Sequence, residues 1–249
     1  MDYTYDPALV ALSIATAMLG AFTALVVTAG IGQVRTSEAL LRVLLAAAGI
    51  GSGIWATHFI SLIALPLPIG PEPGLSHAAL PAAIMAIAGG LAFAIVAARR
   101  FGWMSFPLAS LIFTGAMAGM HYLGLSALSD GYRFEVSNHG LVIALVIGLQ
   151  TSVAMLWFSF HERALLGTFL AAAALGLAIS ATNYSALEAI TLHLPDGAAP
   201  DRAGPTAGYA LALSVAGAIY AICGFCIGIF ALIGSIRRAG AGGRQRAIG

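Results

Sequence analysis

Seven long apolar stretches dominate the chain, and most of the charged residues lie in the short segments between them. A helix needs about 20 apolar residues to cross the hydrocarbon core of a bilayer, which is about 30 Å thick. Each stretch reaches that length, so the pattern predicts an all-α fold with seven transmembrane helices. The predicted helices are Leu9–Ile31, Leu40–Leu65, Ala78–Ala98, Pro107–Leu128, Leu141–Phe160, Ala164–Ile190 and Tyr209–Ile236.

The second, fourth and sixth predicted helices carry a polar residue at the same place. His58, His121 and Asn183 are 63 and 62 residues apart, and each comes seven residues before the end of its predicted helix. At 1.5 Å per residue, this position is about 10 Å below the helix end. The chain is thus predicted to contain a leading helix followed by three parallel two-helix repeats. We expect the three polar positions to face one axis.

Composition and charge support a membrane protein and indicate its orientation. Hydrophobic residues make up 60% of the chain and charged residues 8%, whereas soluble domains have about 25% charged residues. All eleven basic residues are arginines, and nine of them fall on one side of the predicted helices. By the positive-inside rule, the N-terminus is predicted outside and the C-terminus in the cytoplasm. The nine are Arg35, Arg42, Arg99, Arg100, Arg163, Arg237, Arg238, Arg244 and Arg246.

The same distribution suggests how the chain is divided and which functions it lacks. Residues 1–236 are predicted to form the membrane domain, and residues 237–249 a short basic cytoplasmic tail. No soluble domain or catalytic constellation is recognisable, so we expect a protein that is not an enzyme and acts through a partner. The net charge of +1 gives no indication of nucleic-acid binding. A retinal protein is excluded, because its Schiff base requires a lysine.

Two of the three repeats carry a recognisable motif. Gly119–Tyr122, followed by Gly124, and the aromatic-His-Phe-Ile pattern in Trp55–Ile60 resemble the MHYT domain, a bacterial integral membrane sensor module. The resemblance covers essentially the whole chain. It implies a bacterial inner-membrane location, copper bound through Met and His, and sensing of a diatomic gas such as O2, CO or NO. The output would pass through a signalling domain or partner, often a cyclic-di-GMP enzyme.

The chain departs from the family motif at several places. The first copy has Thr57 instead of Met, and the third has Thr182–Tyr184, without Met or His. The second copy has Leu123 and Leu125 where Thr and Met are usual. The residues of the family's ligand set that remain are His58, His121 and Met120.

Each candidate ligand has a functional and a structural interpretation. Ionisable residues in membrane helices usually face a bundle interior or an aqueous cavity. Imidazole nitrogen and thioether sulfur are good copper ligands, so His58, His121 and Met120 could hold the ion. Alternatively, the histidines only bridge helices by hydrogen bonds, and Met120 fills an apolar gap.

Further polar residues are weaker candidates. Asn183 is expected to hydrogen-bond to an imidazole and fix its tautomer rather than to bind metal directly. Met117 shares a helix face with His121, and it is either a substitute ligand or a core residue. Tyr122 and Tyr184 are interpreted as interfacial aromatic residues, and Glu188 as a solvated rim carboxylate. A shallower outer ring of polar residues is predicted from His77, His139 and His193.

Three functions remain open at this level. The leading hypothesis is a copper-binding sensory module that signals to a cytoplasmic or membrane partner. The second is a transporter or channel for copper, protons or a small solute, with His and Asn lining the pathway. The third is a metal-free scaffold for another membrane protein, which the missing third histidine favours.

Overall fold

The computed structural model contains seven long helices that form a single membrane bundle. It describes residues 4–65, 75–99, 102–126, 133–161, 164–193 and 205–246. Each of the seven helices is long and apolar enough to cross a bilayer, so the chain is a multi-pass membrane protein. The helices are α1 (Pro7–Thr28), α2 (Thr36–Ala64), α3 (Leu75–Arg99), α4 (Ser105–Ser126), α5 (Asn138–Ser159), α6 (Leu165–Glu188) and α7 (Pro205–Arg246).

Local sequence signals determine where the first two helices begin and end. The Asp6 side chain caps α1 by accepting hydrogen bonds from the backbone N–H groups of Ala8 and Leu9, at 2.9 and 3.2 Å. Carboxylates are among the preferred N-cap groups because they satisfy N–H groups that have no helical partner. Between α1 and α2, Gly30 has a φ of 67°, a conformation that glycine adopts without steric cost. A short 3₁₀ turn, Ile31–Gln33, completes this connection.

Small residues allow α1 and α2 to pack closely. A Cβ atom added to Gly53 of α2 would lie 2.9 Å from the Cα atom of Gly20 in α1. Glycines at such positions let membrane helices approach until their backbones touch. Next to this seam, the Thr57 hydroxyl of α2 donates a hydrogen bond of 3.1 Å to the Ser13 carbonyl of α1. Together these contacts fix the position of α2 against α1.

Two short strands are an exception to the all-α prediction. β1 (Arg133–Val136) and β2 (Ile190–His193) pair in antiparallel fashion, with Val136 opposite Ile190. They follow α4 and α6, in segments that lie outside the predicted helices except for Ile190, which was predicted as the last residue of the sixth helix. We call the end of the bundle at which α2, α4 and α6 terminate the strand-pair end. The strand pair ties the ends of α4 and α6 together.

The last helix packs against the first two. α1 and α2 therefore contact both the body of the bundle and α7. α7 also continues to Arg246, beyond the predicted helix end at Ile236. The division into a membrane domain and a tail at residue 237 stays a prediction, as does the orientation of the bundle in the membrane.

Candidate functional site

The three polar positions of the repeats meet inside the bundle near its strand-pair end. His58, His121 and Asn183 are buried, with side-chain exposures of 2%, 6% and 2%. Nδ1 of His58 lies 2.8 Å from Nδ1 of His121 and 3.1 Å from Oδ1 of Asn183. The two imidazole rings are nearly perpendicular, with centroids 4.4 Å apart. α2, α4 and α6 therefore converge on one point, as the repeat pattern predicts.

A serine that the sequence analysis did not single out determines the hydrogen-bond directions. The Ser61 hydroxyl donates to the His58 carbonyl at 2.7 Å, so its oxygen can accept from the Asn183 side-chain amide, 2.6 Å away. The Asn183 oxygen then points at His58, whose Nδ1 must carry the proton that it donates. Because a neutral imidazole has one N–H group, Nε2 of His58 is left as a bare lone pair. We call His58, His121, Asn183 and Ser61 the polar cluster.

The second imidazole receives the opposite tautomer from the same network. Since Nδ1 of His58 carries a proton, Nδ1 of His121 accepts it in a hydrogen bond shared with Asn183. In neutral His121, the proton is therefore on Nε2. Tautomers of neighbouring imidazoles are thus set by a chain of hydrogen bonds that begins at Ser61.

Each histidine has one ring nitrogen without a partner. Within the described part of the chain, three buried side-chain nitrogen or oxygen atoms make no hydrogen bond, and two of them are Nε2 of His58 and Nε2 of His121. The third is the Ser180 hydroxyl oxygen. An unsatisfied buried polar group costs about 1–3 kcal/mol. Two such atoms lie in one cluster, which makes this cluster the candidate binding site.

Gly124 allows the His58 ring to lie directly against α4. A Cβ atom added to Gly124 would collide with Nε2 of His58, so the edge of the ring fills the small recess that the missing side chain leaves. Met120 precedes Gly124 by four residues and therefore lies on the same face of α4, where it is fully buried. The donor set beside the recess consists of imidazole and thioether, which is the chemistry that Cu(I) prefers. The residues present thus fit a copper ion.

Met117, the possible substitute ligand, contacts a hydroxyl group of α5. Met117 is buried and lies 4.0 Å from the hydroxyl oxygen of Ser152, with its sulfur as the acceptor. In the described residues, no group of three or more His, Cys, Asp or Glu side chains is positioned to hold a metal ion. A metal bound here would consequently depend on thioether or amide ligands in addition to the two histidines.

The two tyrosines that follow the polar positions have different environments. Tyr122 is 72% exposed on the outer surface of α4, where interfacial aromatic residues lie. Tyr184 is half-buried, and its hydroxyl is 2.9 Å from that of Ser13 in α1. Its ring stacks edge-on against Tyr5, with centroids 5.2 Å apart. Tyr184 therefore bridges α6 and α1, which the sequence pattern did not show.

The rim of the strand-pair end holds Glu188 and the histidines of the predicted outer ring. Glu188 is exposed at the end of α6, and burial of the Tyr5 hydroxyl, together with this carboxylate, raises the pKa of Tyr5. His139 is exposed at the start of α5. His77 lies in α3 and His193 in β2, but their side chains are outside the described residues. The outer ring therefore stays a prediction.

Comparison with known proteins identifies the family. The model of the MHYT family, described as a bacterial signalling protein N-terminal repeat, matches residues 51–108. This segment contains the first copy of the motif, with His58, and ends before the second. The chain belongs to the MHYT domain family, whose members are membrane sensory modules of signalling proteins.

Several curated signalling proteins share this membrane region. The bifunctional diguanylate cyclase/cyclic di-GMP phosphodiesterase MucR of Pseudomonas aeruginosa is 30% identical over 200 residues, which are 77% of this chain and 29% of that protein. The cyclic di-GMP phosphodiesterase NbdA of the same organism is also 30% identical, over 78% of this chain and 25% of NbdA. The signalling protein YkoW of Bacillus subtilis is 23% identical, over 76% of this chain and 24% of YkoW. The matched region thus makes up 24% to 29% of the length of these relatives. No solved structure matches it significantly.

Proposed function

We propose that this chain is a copper-dependent sensory module, with the ion bound between α2 and α4 at the recess beside Gly124. The observation that carries the proposal is the unpartnered Nε2 atom of His58, which lies in this recess with its lone pair fixed by Asn183. His121 and Met120, on the adjoining surface of α4, would complete the site. The Nδ1 atoms of the two rings face each other at 2.8 Å, so the Nε2 atoms point apart, and binding of one ion by both would require a ring to turn. Binding at Nε2 of His121 would also displace the proton that the hydrogen-bond network places there.

Each residue of the polar cluster has a defined task in this proposal. Asn183 holds the His58 ring by accepting from its Nδ1–H, an arrangement that orients imidazole ligands and raises their basicity. Ser61 fixes the amide orientation of Asn183. The apolar surroundings keep water away from the thioether and the rings. When bound, copper would supply a centre at which a diatomic gas such as O2, CO or NO can bind, or at which the redox state can change.

Signal output is proposed to use a partner or a linked signalling domain. MucR and NbdA are named as cyclic di-GMP enzymes, and we propose a comparable signalling connection for this chain. By the positive-inside rule, the nine arginines on one side favour a partner in the cytoplasm of a bacterial cell, and the polar cluster would then lie near the outer surface of the inner membrane. A change at the cluster would be transmitted by displacement of α2 against α1 and α7, which pack on it.

Elemental analysis of protein purified in mild detergent without chelator tests the metal site. We expect about one copper per chain after loading with Cu(I), because two imidazoles and a thioether make a sufficient soft-metal donor set. A His58→Ala/His121→Ala double variant is expected to lose the copper. His139→Ala, which removes an exposed histidine near the same end of the bundle, is the matched control and should retain it. Absence of copper from the wild-type protein after loading would refute the proposal.

Exposure of the loaded protein to carbon monoxide tests the sensory part. We expect a C–O stretching band in the infrared spectrum of the reduced wild-type protein and no such band in the double variant. A copper-loaded protein that gives no band with carbon monoxide and no spectral change with oxygen or nitric oxide would limit the role of copper to structure.

A further inference from the structure

At the level of the polar cluster, hydrogen bonds join α1, α2 and α6 in a closed triangle. Between α2 and α6, Nδ1 of His58 lies 3.1 Å from Oδ1 of Asn183. Between α6 and α1, the Tyr184 hydroxyl lies 2.9 Å from the Ser13 hydroxyl. Between α1 and α2, the Thr57 hydroxyl lies 3.1 Å from the Ser13 carbonyl oxygen. Each of the three helices is thus bonded to the other two.

Ser13 of α1 is the corner at which two sides of the triangle meet. Its hydroxyl donates to the Val10 carbonyl, at 2.8 Å, so its oxygen accepts from the Tyr184 hydroxyl. Its own carbonyl accepts from Thr57, whose hydroxyl proton is shared with the Gly53 carbonyl, 2.8 Å away. Ser13 and Thr57 are fully buried, so water does not compete for these bonds at the corner.

The other residues of the triangle form adjacent pairs on α2 and α6. Thr57 and His58 are neighbours in α2, and Asn183 and Tyr184 are neighbours in α6. Neighbouring side chains point about 100° apart around a helix. In each pair, one side chain is therefore bonded to α1, and the other is bonded across to the remaining helix. Two bonds in different directions resist rotation of a helix about its axis, so the contacts with α1 determine where His58 and Asn183 point.

We propose that Tyr184 and Ser13 are positioning residues of the candidate site, and that their hydrogen bond keeps Asn183 in place as the acceptor for Nδ1–H of His58. Tyr184 acts through Asn183, its neighbour in α6, and not by contacting a bound ligand. Loss of the bond would let α6 turn and would weaken the contact between His58 and Asn183. Any consequence for copper rests on the proposed function, whereas the effect on this hydrogen bond requires no metal.

The second copy of the repeat supplies a matched tyrosine outside the triangle. Tyr122 follows His121 as Tyr184 follows Asn183, but Tyr122 is exposed on the outer surface of α4. Removal of one hydroxyl group at each position therefore compares the same chemical change inside and outside the triangle.

Hydrogen exchange of the His58 ring N–H proton, followed by NMR on the full chain in phosphatidylcholine nanodiscs with EDTA, tests the proposal. In Tyr184→Phe, we expect this proton to exchange about threefold faster, because one hydrogen bond between membrane helices contributes about that factor to keeping the cluster closed. Tyr122→Phe should leave the rate unchanged. Backbone amides of α5, which is not part of the triangle, report any general loss of stability and should exchange as in the wild-type protein.

Ser13→Ala removes the other partner of the same hydrogen bond. It should accelerate exchange of the His58 ring proton by a similar factor. The double variant Ser13→Ala/Tyr184→Phe should exchange no faster than either single variant, because both changes remove one shared interaction. This comparison shows whether Tyr184 acts through Ser13.

Several outcomes would overturn the proposal. These are an unchanged exchange rate in Tyr184→Phe, equal acceleration in Tyr122→Phe, equal acceleration of the α5 amides, and single effects that multiply in the double variant. Because metal is absent throughout, failure here leaves the proposed copper site unaffected. Conversely, a wild-type protein that takes up no copper would leave this result standing.

Discussion

The two ends of α2 hold two buried polar sites that differ in how well their groups are satisfied. Near its start, Arg42 is 7% exposed. Its guanidinium donates to the Glu38 carboxylate at 2.7 and 3.1 Å and also to the Ala29 carbonyl at the end of α1. The Phe230 ring of α7 lies 4.9 Å from its central carbon. Near the other end of the same helix, the uncharged histidines leave two ring nitrogens unpartnered.

This difference separates a structural site from a functional one. Charged residues in membrane helices are expected to mark function, yet Arg42 is held by a carboxylate, a helix-terminal carbonyl and an aromatic ring. These contacts connect α1, α2 and α7. The polar cluster also connects helices, but it retains unused hydrogen-bonding capacity in a buried place. Unsatisfied capacity, rather than charge, therefore identifies the candidate binding site.

The largest expected effect on stability is at the arginine. Arg42→Met leaves the Glu38 carboxylate without this partner and the Ala29 carbonyl without its donor, so the free energy of unfolding should fall by about 3 kcal/mol. Unfolding in mixed micelles, followed by circular dichroism, measures this loss. Copper binding per folded molecule should be unchanged.

Two further variants check the explanation at Arg42. Arg35→Met removes an exposed arginine at the start of α2 and should leave stability unchanged. Adding Glu38→Gln to Arg42→Met should restore part of the loss, because it removes the uncompensated charge. If Arg42→Met lowered copper affinity as strongly as it lowered stability, the separation of the two sites would be wrong.

The recess beside His58 provides the sharpest test of the functional site. In Gly124→Ala, the new methyl group would displace the His58 ring, and affinity for Cu(I) should fall about 100-fold, the upper end of effects seen when a ligand's surroundings are disturbed. Competition with a chromophoric Cu(I) chelator measures the affinity.

Gly115→Ala in the same helix is the matched control. A Cβ atom at Gly115 meets nothing within 4 Å, and both changes raise helix propensity by about 0.5–1 kcal/mol. The comparison therefore isolates the contact with His58. Equal copper affinity in the two variants would show that the recess is not the metal site.

The orienting amide should have a smaller effect. Asn183→Leu removes the acceptor for Nδ1–H of His58 and the donor to Ser61, so copper affinity should fall about tenfold. Ser61→Ala removes the acceptor for the Asn183 amide and the donor to the His58 carbonyl, but it keeps the acceptor for Nδ1–H of His58 and should have a weaker effect in the same direction. The same chelator competition measures both. Unchanged affinity in Asn183→Leu would mean that the amide does not orient the ring.

The smallest expected effect concerns a hydrogen bond that belongs to neither site. The Thr114 hydroxyl of α4 donates to the Ser152 hydroxyl of α5 at 2.9 Å. Hydrogen bonds between membrane helices contribute about 0.6 kcal/mol on average, and a double-mutant cycle with Thr114→Val and Ser152→Ala should give a coupling energy of that size. A coupling of several kcal/mol would place this pair among the main determinants of helix packing.

The hydrophobic pattern was a good guide to the helices and a poor guide to the segments between them. The second helix was predicted from Leu40 to Leu65 and runs from Thr36 to Ala64, because its apolar length and its flanking residues are local properties. The strand pair was missed, since β1 and β2 have four residues each and lie far apart in sequence. A short segment carries no local sign of a distant partner.

The candidate site was likewise predictable from the sequence only in part. The repeat places His58, His121 and Asn183 at equal depth on three parallel helices, and residue type makes the two histidines candidate ligands. Ser61 could have been noticed, because it lies three residues after His58 and so on the same helix face. The recess at Gly124 could not have been predicted. Gly115 is also a glycine of α4, and no side chain lies against it.

The sequence by itself determined that this chain is a membrane bundle of seven helices with a threefold repeat of one polar position. These properties follow from apolar length, charge distribution and residue spacing, all of which can be read from the linear sequence. Only the tertiary structure decided which ring nitrogens of His58 and His121 are bonded and which are free. The physical reason is that hydrogen-bond partners depend on how α2, α4 and α6 are rotated about their axes, and that rotation is fixed by the packing of whole helices against one another.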